Sequence, residues 1–240
     1  MSARWLPLGN GISIATTKTH TFGTDAVLLA HFASPQDGEN ICDLGTGCGI
    51  IPFLWARDGL NISVTGVDCQ SEAIELANES KNRLDSPTKL QFINADLCEW
   101  TPTAPFSLIV CNPPYFPQGN KRCTMSRARK LARQEGIGCT FDELCQTVAR
   151  TLGVNGRFCF CHRPENAIQL KSHLSAYGLS VKKTATVFHS IQNEPFLWLC
   201  ETVREPVDCV STDTWILQEN GVPTLLYKQI YAPFFKESSL

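Results

Sequence analysis

Four consecutive residues, Asn112, Pro113, Pro114 and Tyr115, hold the first chemical signal in the chain. Two prolines can simply stop a strand and an aromatic ring can simply pack, but neither reading accounts for the asparagine. Chemistry does. An amino nitrogen conjugated with a ring or a carbonyl has a delocalised lone pair and is a poor nucleophile. If the Asn112 side-chain oxygen and the Pro113 carbonyl each accept one N–H, the lone pair is aimed at an electrophile, and the same two bonds stabilise positive charge as it develops on nitrogen. The prolines fix the local backbone, and Tyr115 offers a ring face for a planar base taken out of its stack. No general base is needed before transfer, because the substituted nitrogen becomes acidic and loses its proton afterwards.

A second constellation lies upstream, in Asp43, Leu44, Gly45, Thr46, Gly47, Cys48 and Gly49. Glycines let a backbone turn tightly and approach a ligand with no Cβ in the way, and amides near a helix start can face a carboxylate or phosphate. A dinucleotide-binding GxGxxG would need a third glycine at residue 50, which is Ile50, so the observed GxGxG departs from that pattern. Two further acids, Asp68 followed by Cys69 and Asp96 followed by Leu97, each close a strand-like run. A carboxylate at the end of a second strand suits the two hydroxyls of a ribose. Either acid alone reads equally well as a solvated loop residue or a helix cap. Three acids at successive strand ends favour a nucleoside-type cofactor.

The third signal is charge. Lys121, Arg122, Arg127, Arg129, Lys130 and Arg133 place six cations in thirteen residues with no acid among them, although the chain carries a formal net charge of −2. The rest of the chain therefore carries about −8, and the positive charge is focused beside Asn112. An arbitrary basic run is a solvated helix face; this one is placed to grip phosphates. Few aromatics interleave with it, so phosphate contact rather than base stacking is expected from it.

These residues need a scaffold, and the pattern supplies one. Residues 40–44 read as a buried strand, 50–57 as a helix, 62–67 as a β-branched strand ending at Asp68, and 71–84 as a helix with Ser71 as its cap. Residues 90–94 and 106–111 read as further strands. Thr140 and Glu143 form a capping box for a helix ending near Leu152, with Gly153 beyond it. Then come a strand at 156–162, a helix at 165–177 and two strands at 179–188 and 196–203. The last two are joined by a turn without a helix, which implies an antiparallel pair at the sheet's end. Strand–helix alternation implies a mostly parallel sheet covered on both faces, with ligands bound beyond the carboxyl ends of its strands. Every residue singled out falls at such an end.

Composition bounds the rest. At 240 residues and 43% hydrophobic, the chain fits one domain, residues 1–240, with an N-terminal extension to about 35, a core over about 36–203 and a tail over about 204–240. No run of about 18 apolar residues exists and the N-terminus lacks a signal-peptide pattern, so no membrane and a cytoplasmic location are expected. The twelve cysteines are scattered through apparent strands and helices, which favours reduced, mostly buried thiols. No CxxC pair exists, and Cys159, Cys161 and His162 alternate within an apolar strand, so no metal is expected.

GxGxG preceded by an acid, with the downstream acids, resembles the first motif of class I S-adenosylmethionine (SAM) methyltransferases. The resemblance implies an α/β Rossmann-like fold with a mostly parallel seven-stranded sheet, an antiparallel last strand and helices on both faces. It also implies SAM as cofactor, S-adenosylhomocysteine as product, and Asp96 accepting the adenine amino group. The NPPY motif is similar to that of amino-methyltransferases acting on adenine in DNA or RNA and on glutamine in proteins. Residues 22–29 (FGTDAVLL), NPPYF and the basic ARKLARQE at 128–135 together resemble the bacterial tRNA adenine-N6 methyltransferases, over roughly residues 10–203. That family modifies adenine 37 of a valine tRNA. It implies that Asn112 to Tyr115 hold the target adenine, that Asp43, Gly45, Thr46, Gly47, Gly49, Asp68, Cys69, Asp96, Leu97 and Asn112 surround SAM, and that Thr24 and Asp25 sit near the cofactor. For Thr24 a helix-capping role explains the residue almost as well.

Rivals are a protein glutamine methyltransferase, a DNA adenine methyltransferase and a SAM-binding RNA adaptor without activity. The first usually carries a helical domain in front, whereas about 40 residues precede this glycine motif. The second normally adds a target-recognition domain, and Asn112 argues against the third. An NAD oxidoreductase is disfavoured by Ile50 and by the lack of a Tyr/Lys or His constellation. The tRNA is the expected partner; the oligomeric state is open, with a monomer expected.

Overall fold

The strand ends that carry the motifs all open on one edge of a central sheet. The computed structural model describes residues 3–113 and 139–235. A hairpin of β1 (Arg4–Gly9) and β2 (Ile12–Thr16) leads to α1 (Thr24–Ala33). Then follow β3 (Asn40–Leu44), α2 (Ile50–Arg57), β4 (Ser63–Asp68), α3 (Ser71–Lys81), β5 (Lys89–Asn94) and β6 (Phe106–Cys111). Beyond the undescribed stretch come α4 (Phe141–Thr151), β7 (Leu152–His162), α5 (Ala167–Ala176), β8 (Ser180–Phe188) and β9 (Leu197–Val203). The chain closes with β10 (Ser211–Ile216), the short pair β11 (Gln218–Glu219) and β12 (Val222–Pro223), and α6 (Leu225–Tyr231).

Eight strands form the main sheet in the order β10-β8-β9-β7-β6-β3-β4-β5. Strands β5, β4, β3, β6 and β7 pair in parallel, and β9 pairs antiparallel with both β7 and β8. The expected class holds, with one correction. Among the described residues the sheet has eight strands rather than seven, because β10, from the segment read as a tail, adds in parallel to β8. The expected antiparallel strand is β9, which lies between β7 and β8, and β10 forms the edge beyond β8.

Alternation along the strands divides the core into two layers, as period-2 geometry requires. In β6, Leu108 and Val110 face a cluster with α1, α2 and α3, while Ile109 and Cys111 face a cluster with α4 and α5. Strand β7 does the same, with Cys159 and Cys161 on the first face and Phe158 and Phe160 on the second, all four fully buried. Helices thus cover both faces. The N-terminal hairpin and the tail join the first layer, where Leu8, Ile14, Trp215, Leu217 and Ile230 share one cluster with α1. The contact is close, since a Cβ on Gly9 would lie 1.7 Å from the Pro233 carbonyl oxygen.

The capping box expected of Thr140 and Glu143 stands at the start of α4. Two other expected caps are absent. Helix α3 begins with Gln70 at the N-cap position and Ser71 inside the helix, and α1 begins with Gly23 at that position and Thr24 inside. In both cases the capping residue makes no side-chain bond, so burial of the apolar face rather than a cap fixes where the helix starts. No helix among the described residues is long and apolar enough to cross a membrane.

Candidate active site

The glycine turn after β3 is a hydrogen-bonded unit. Asp43 is 1% exposed, and the Thr46 hydroxyl donates to its Oδ2 at 2.7 Å. The Gly47 N–H donates to Asp68 Oδ2 and the Gln70 N–H to Asp68 Oδ1, each at 2.9 Å, which ties the end of β4 to the loop. The end of β5 joins through Asn94, whose side-chain amide donates to the Asp68 carbonyl at 3.0 Å. Gly45 (φ 73°), Gly47 (φ 56°) and Gly49 (φ 87°) all adopt the left-handed conformation that glycine takes at no steric cost.

The three glycines serve different ends. A Cβ on Gly45 or Gly47 would meet nothing within 4 Å, whereas one on Gly49 would lie 3.0 Å from Phe53 and Phe92. Gly45 and Gly47 therefore line open space, and Gly49 packs the helix start. The amides expected to face a ligand are mostly committed elsewhere. Gly45 and Thr46 both donate to the Val67 carbonyl, Gly47 to Asp68 and Gly49 to the Thr46 carbonyl. The loop thus offers a ligand shape more than donors.

What it does offer is an acceptor. Asp43 Oδ1 is buried without a hydrogen-bond partner. Burial pushes this carboxyl up to about 7, the Thr46 bond opposes the rise and the nearby Asp68 charge adds to it. A buried carboxylate oxygen left unpaired is costly and suits a cationic N–H donor. Together with the space before Gly45 and Gly47, it fits the amino-acid end of SAM. Asp68 and Asp96 fit the nucleoside end. Each Asp68 oxygen already accepts one amide, and Asp96 Oδ1 accepts the Cys98 N–H at 3.0 Å, but a carboxylate oxygen has two lone pairs and can take a hydroxyl or amine as well. Cys69 is half-buried just beyond Asp68. The Leu97 carbonyl is fixed by α4, through Thr147 Oγ1 and Arg150 Nη2, both at 3.2 Å.

Asn112 stands beside this loop. Asp43 pairs with Val110 in register, and Asn112 lies two residues past Val110 as Gly45 lies two past Asp43. Its side chain is half-buried and Pro113 is buried. Sequence reasoning missed its anchor: the Cys161 thiol, on the neighbouring strand β7, donates to Asn112 Oδ1 at 3.0 Å. Cys161 is fully buried, which pushes its thiol pKa well up, and the Asp25 charge raises it further; the group stays a protonated donor. Asp25 thus belongs to this corner through the start of α1. Its neighbour Thr24 lies near the Tyr231 hydroxyl of α6. No local signal marks Cys161, because its spacing in β7 reads as core packing and its partner is 49 residues away.

Pro114, Tyr115 and the six cations Lys121, Arg122, Arg127, Arg129, Lys130 and Arg133 lie outside the described residues. No group of three or more metal-ligating side chains converges among the described residues.

A model of the methyltransferase small domain matches residues 18–134. The tRNA1(Val) (adenine(37)-N6)-methyltransferase of Glaesserella parasuis is 34% identical over 179 residues, covering 69% of this chain and 74% of that protein. The protein of the same name from Phocaeicola vulgatus is 30% identical over 215 residues, covering 90% of this chain and 88% of that protein. The chain belongs to the tRNA1(Val) (adenine(37)-N6)-methyltransferase family. Among solved structures, that of a predicted O-methyltransferase from Agrobacterium tumefaciens superposes with a TM-score of 0.66 at 16% identity, over 89% of this chain and 98% of that one. It shares the fold. As a methyltransferase of this family the chain uses SAM as its cofactor, and its membership decides against the glutamine, DNA and adaptor readings.

Proposed function

We propose that this methyltransferase transfers the methyl group of SAM to the exocyclic N6 of adenine 37 in a valine tRNA, leaving S-adenosylhomocysteine, and that it acts in the cytoplasm where that tRNA is found. The observation that carries the reading is the placement of Asn112 at the carboxyl end of β6, level with the glycine turn and anchored to Cys161. The activity is that of the relatives named above. The geometry described above supports the residue roles that follow.

SAM supplies an electrophilic methyl group on a sulfonium. Asp43 Oδ1 would pair with its cationic amino group, Gly45 and Gly47 would leave room for the chain behind it, and Asp68 and Asp96 would accept from ribose and adenine donors. Asn112 Oδ1 accepts one N–H of the target amine with the lone pair that Cys161 leaves open, and the Pro113 carbonyl accepts the other. The two bonds orient the nitrogen lone pair and stabilise the positive charge that grows on it. Cys161 is a positioning residue. By donating to Oδ1 it fixes which end of the Asn112 amide is the oxygen, because an amide turned over would present an N–H to a poor acceptor.

The reading is tested by incubating the protein with labelled SAM and separate tRNA, rRNA, DNA and protein pools, followed by nucleoside mass spectrometry. N6-methyladenosine in tRNA is expected; label in protein or DNA overturns the substrate.

A further inference from the structure

We propose that the stacked rings of His189 and Phe196 form a second nucleotide subsite, a platform for an unpaired base next to the target adenine, with Arg163 holding the phosphate between them. The proposal rests on the RNA reading above and extends it to a specific surface.

The position follows from topology. Strand β6 runs parallel to β7, β7 antiparallel to β9, and β9 antiparallel to β8, so the carboxyl end of β8 shares an edge with Asn112. With strands about 4.8 Å apart, three strand spacings put the turn after β8 roughly 14 Å from the end of β6. An RNA loop whose target base is turned into the site must cross this edge with its neighbouring nucleotides.

The rings are built to receive a flat partner. Their centroids are 4.0 Å apart with planes 9° apart, and His189 is exposed while Phe196 is partly buried beneath it. The backbone holds both members: Phe196 N–H donates to the Val187 carbonyl at 3.0 Å, and the His189 carbonyl accepts from Gln218 N–H at 2.8 Å. The platform is therefore fixed before a base arrives, which is the arrangement that makes stacking on single-stranded RNA effective.

Arg163 supplies the charge. It is exposed one residue past the end of β7, between Asn112 and the ring pair, and its Nη1 donates to the Phe196 carbonyl at 3.3 Å. A guanidinium has five donors in a planar fork, so it can hold its partners within the protein and still turn a donor to a phosphate. Ring pair, cation and amine clamp lie in sequence along one edge, matching base, phosphate and target base.

The test uses the full-length protein with a valine tRNA transcript and with the same tRNA carrying an abasic nucleotide on the 5′ or 3′ side of adenine 37. His189→Ala is expected to raise KM for the tRNA by about fivefold to a hundredfold, the range of one base–aromatic stack. The SAM Kd stays unchanged, and His189→Trp restores a low KM. Arg163→Gln is expected to lower the slope of log affinity against log salt by about one. An abasic nucleotide on one side should weaken the wild type and add nothing in His189→Ala. An unchanged KM in His189→Ala, or additive effects of the variant and the abasic site on both sides, overturns the platform. Failure of the wild type to methylate the unmodified tRNA overturns the substrate reading itself, and the platform with it.

Discussion

The two halves of the proposed site, side by side on one sheet edge, are assembled in opposite ways. The half assigned to the cofactor draws Asp43, Gly45, Thr46 and Gly47 from five consecutive residues, with Asp68 bound to them through a backbone amide. The half assigned to the substrate draws Asn112 from β6 and its anchor Cys161 from β7, 49 residues on. One half is built mainly within a loop that is tied to the end of β4, and the other depends wholly on the register of two strands. A local loop tolerates change in distant strands; an amide held across strands depends on the register of both. The halves should therefore fail differently when broken.

The largest separation comes from Asn112→Ala. Loss of the acceptor for the developing ammonium should lower kcat by about 10²- to 10³-fold, while the SAM Kd, measured by calorimetry, stays at the wild-type value. Loss of SAM binding in a still-folded variant would merge the two halves and contradict the assignment. Asp43→Asn should do the reverse, weakening SAM binding by about tenfold to a hundredfold, the range for a charged hydrogen bond.

The same carboxyl gives the cofactor half a pH signature. Its pKa is raised from 3.8 to about 7, so the native state keeps a proton that the unfolded chain releases. Stability of the SAM-free protein should then fall as pH rises from about 4 to about 7, by at most about 1.4 kcal/mol per pH unit from this one group. Asp43→Asn should flatten that slope in urea titrations. Pairing with a cationic amine needs the ionised form, so SAM affinity should be up to about tenfold weaker at pH 6 than at pH 8.

A smaller effect sharpens the substrate half. Cys161→Ala removes one hydrogen bond to Asn112 and should lower kcat about threefold to tenfold, with Cys161→Ser restoring it. Equal loss in both variants, tracking only Tm, would make Cys161 a packing residue. Smallest is Thr140→Ala, outside either half, which should cost about 1 kcal/mol of stability through the lost capping box and leave methyl transfer untouched.

The same contrast governs what a reader of the sequence could see. The strand ends at Asp68 and Cys111 and the capping box at Thr140 were legible, because local periodicity and spacing carry them. The glycine turn was legible as a turn, but not the commitment of its amides to Val67 and Asp68, which depends on how β3 and β4 align. Strand β10 was not legible. Its buried Trp215 packs edge-on against Phe32 of α1, with ring centroids 5.9 Å apart, a contact with no counterpart in sequence spacing. Cys161 was hidden for the same reason: a buried cysteine in an alternating strand reads as core until the neighbouring strand is in place.

The central claim is that Asn112 is the amine clamp of a tRNA adenine methyltransferase. Nucleoside mass spectrometry of valine tRNA treated with SAM and either the wild type or Asn112→Ala tests it most directly. The account predicts N6-methyladenosine at position 37 with the wild type and none above background with the variant at matched SAM occupancy. Methylation by the variant at the wild-type rate, or a wild-type product on any other atom, would contradict it.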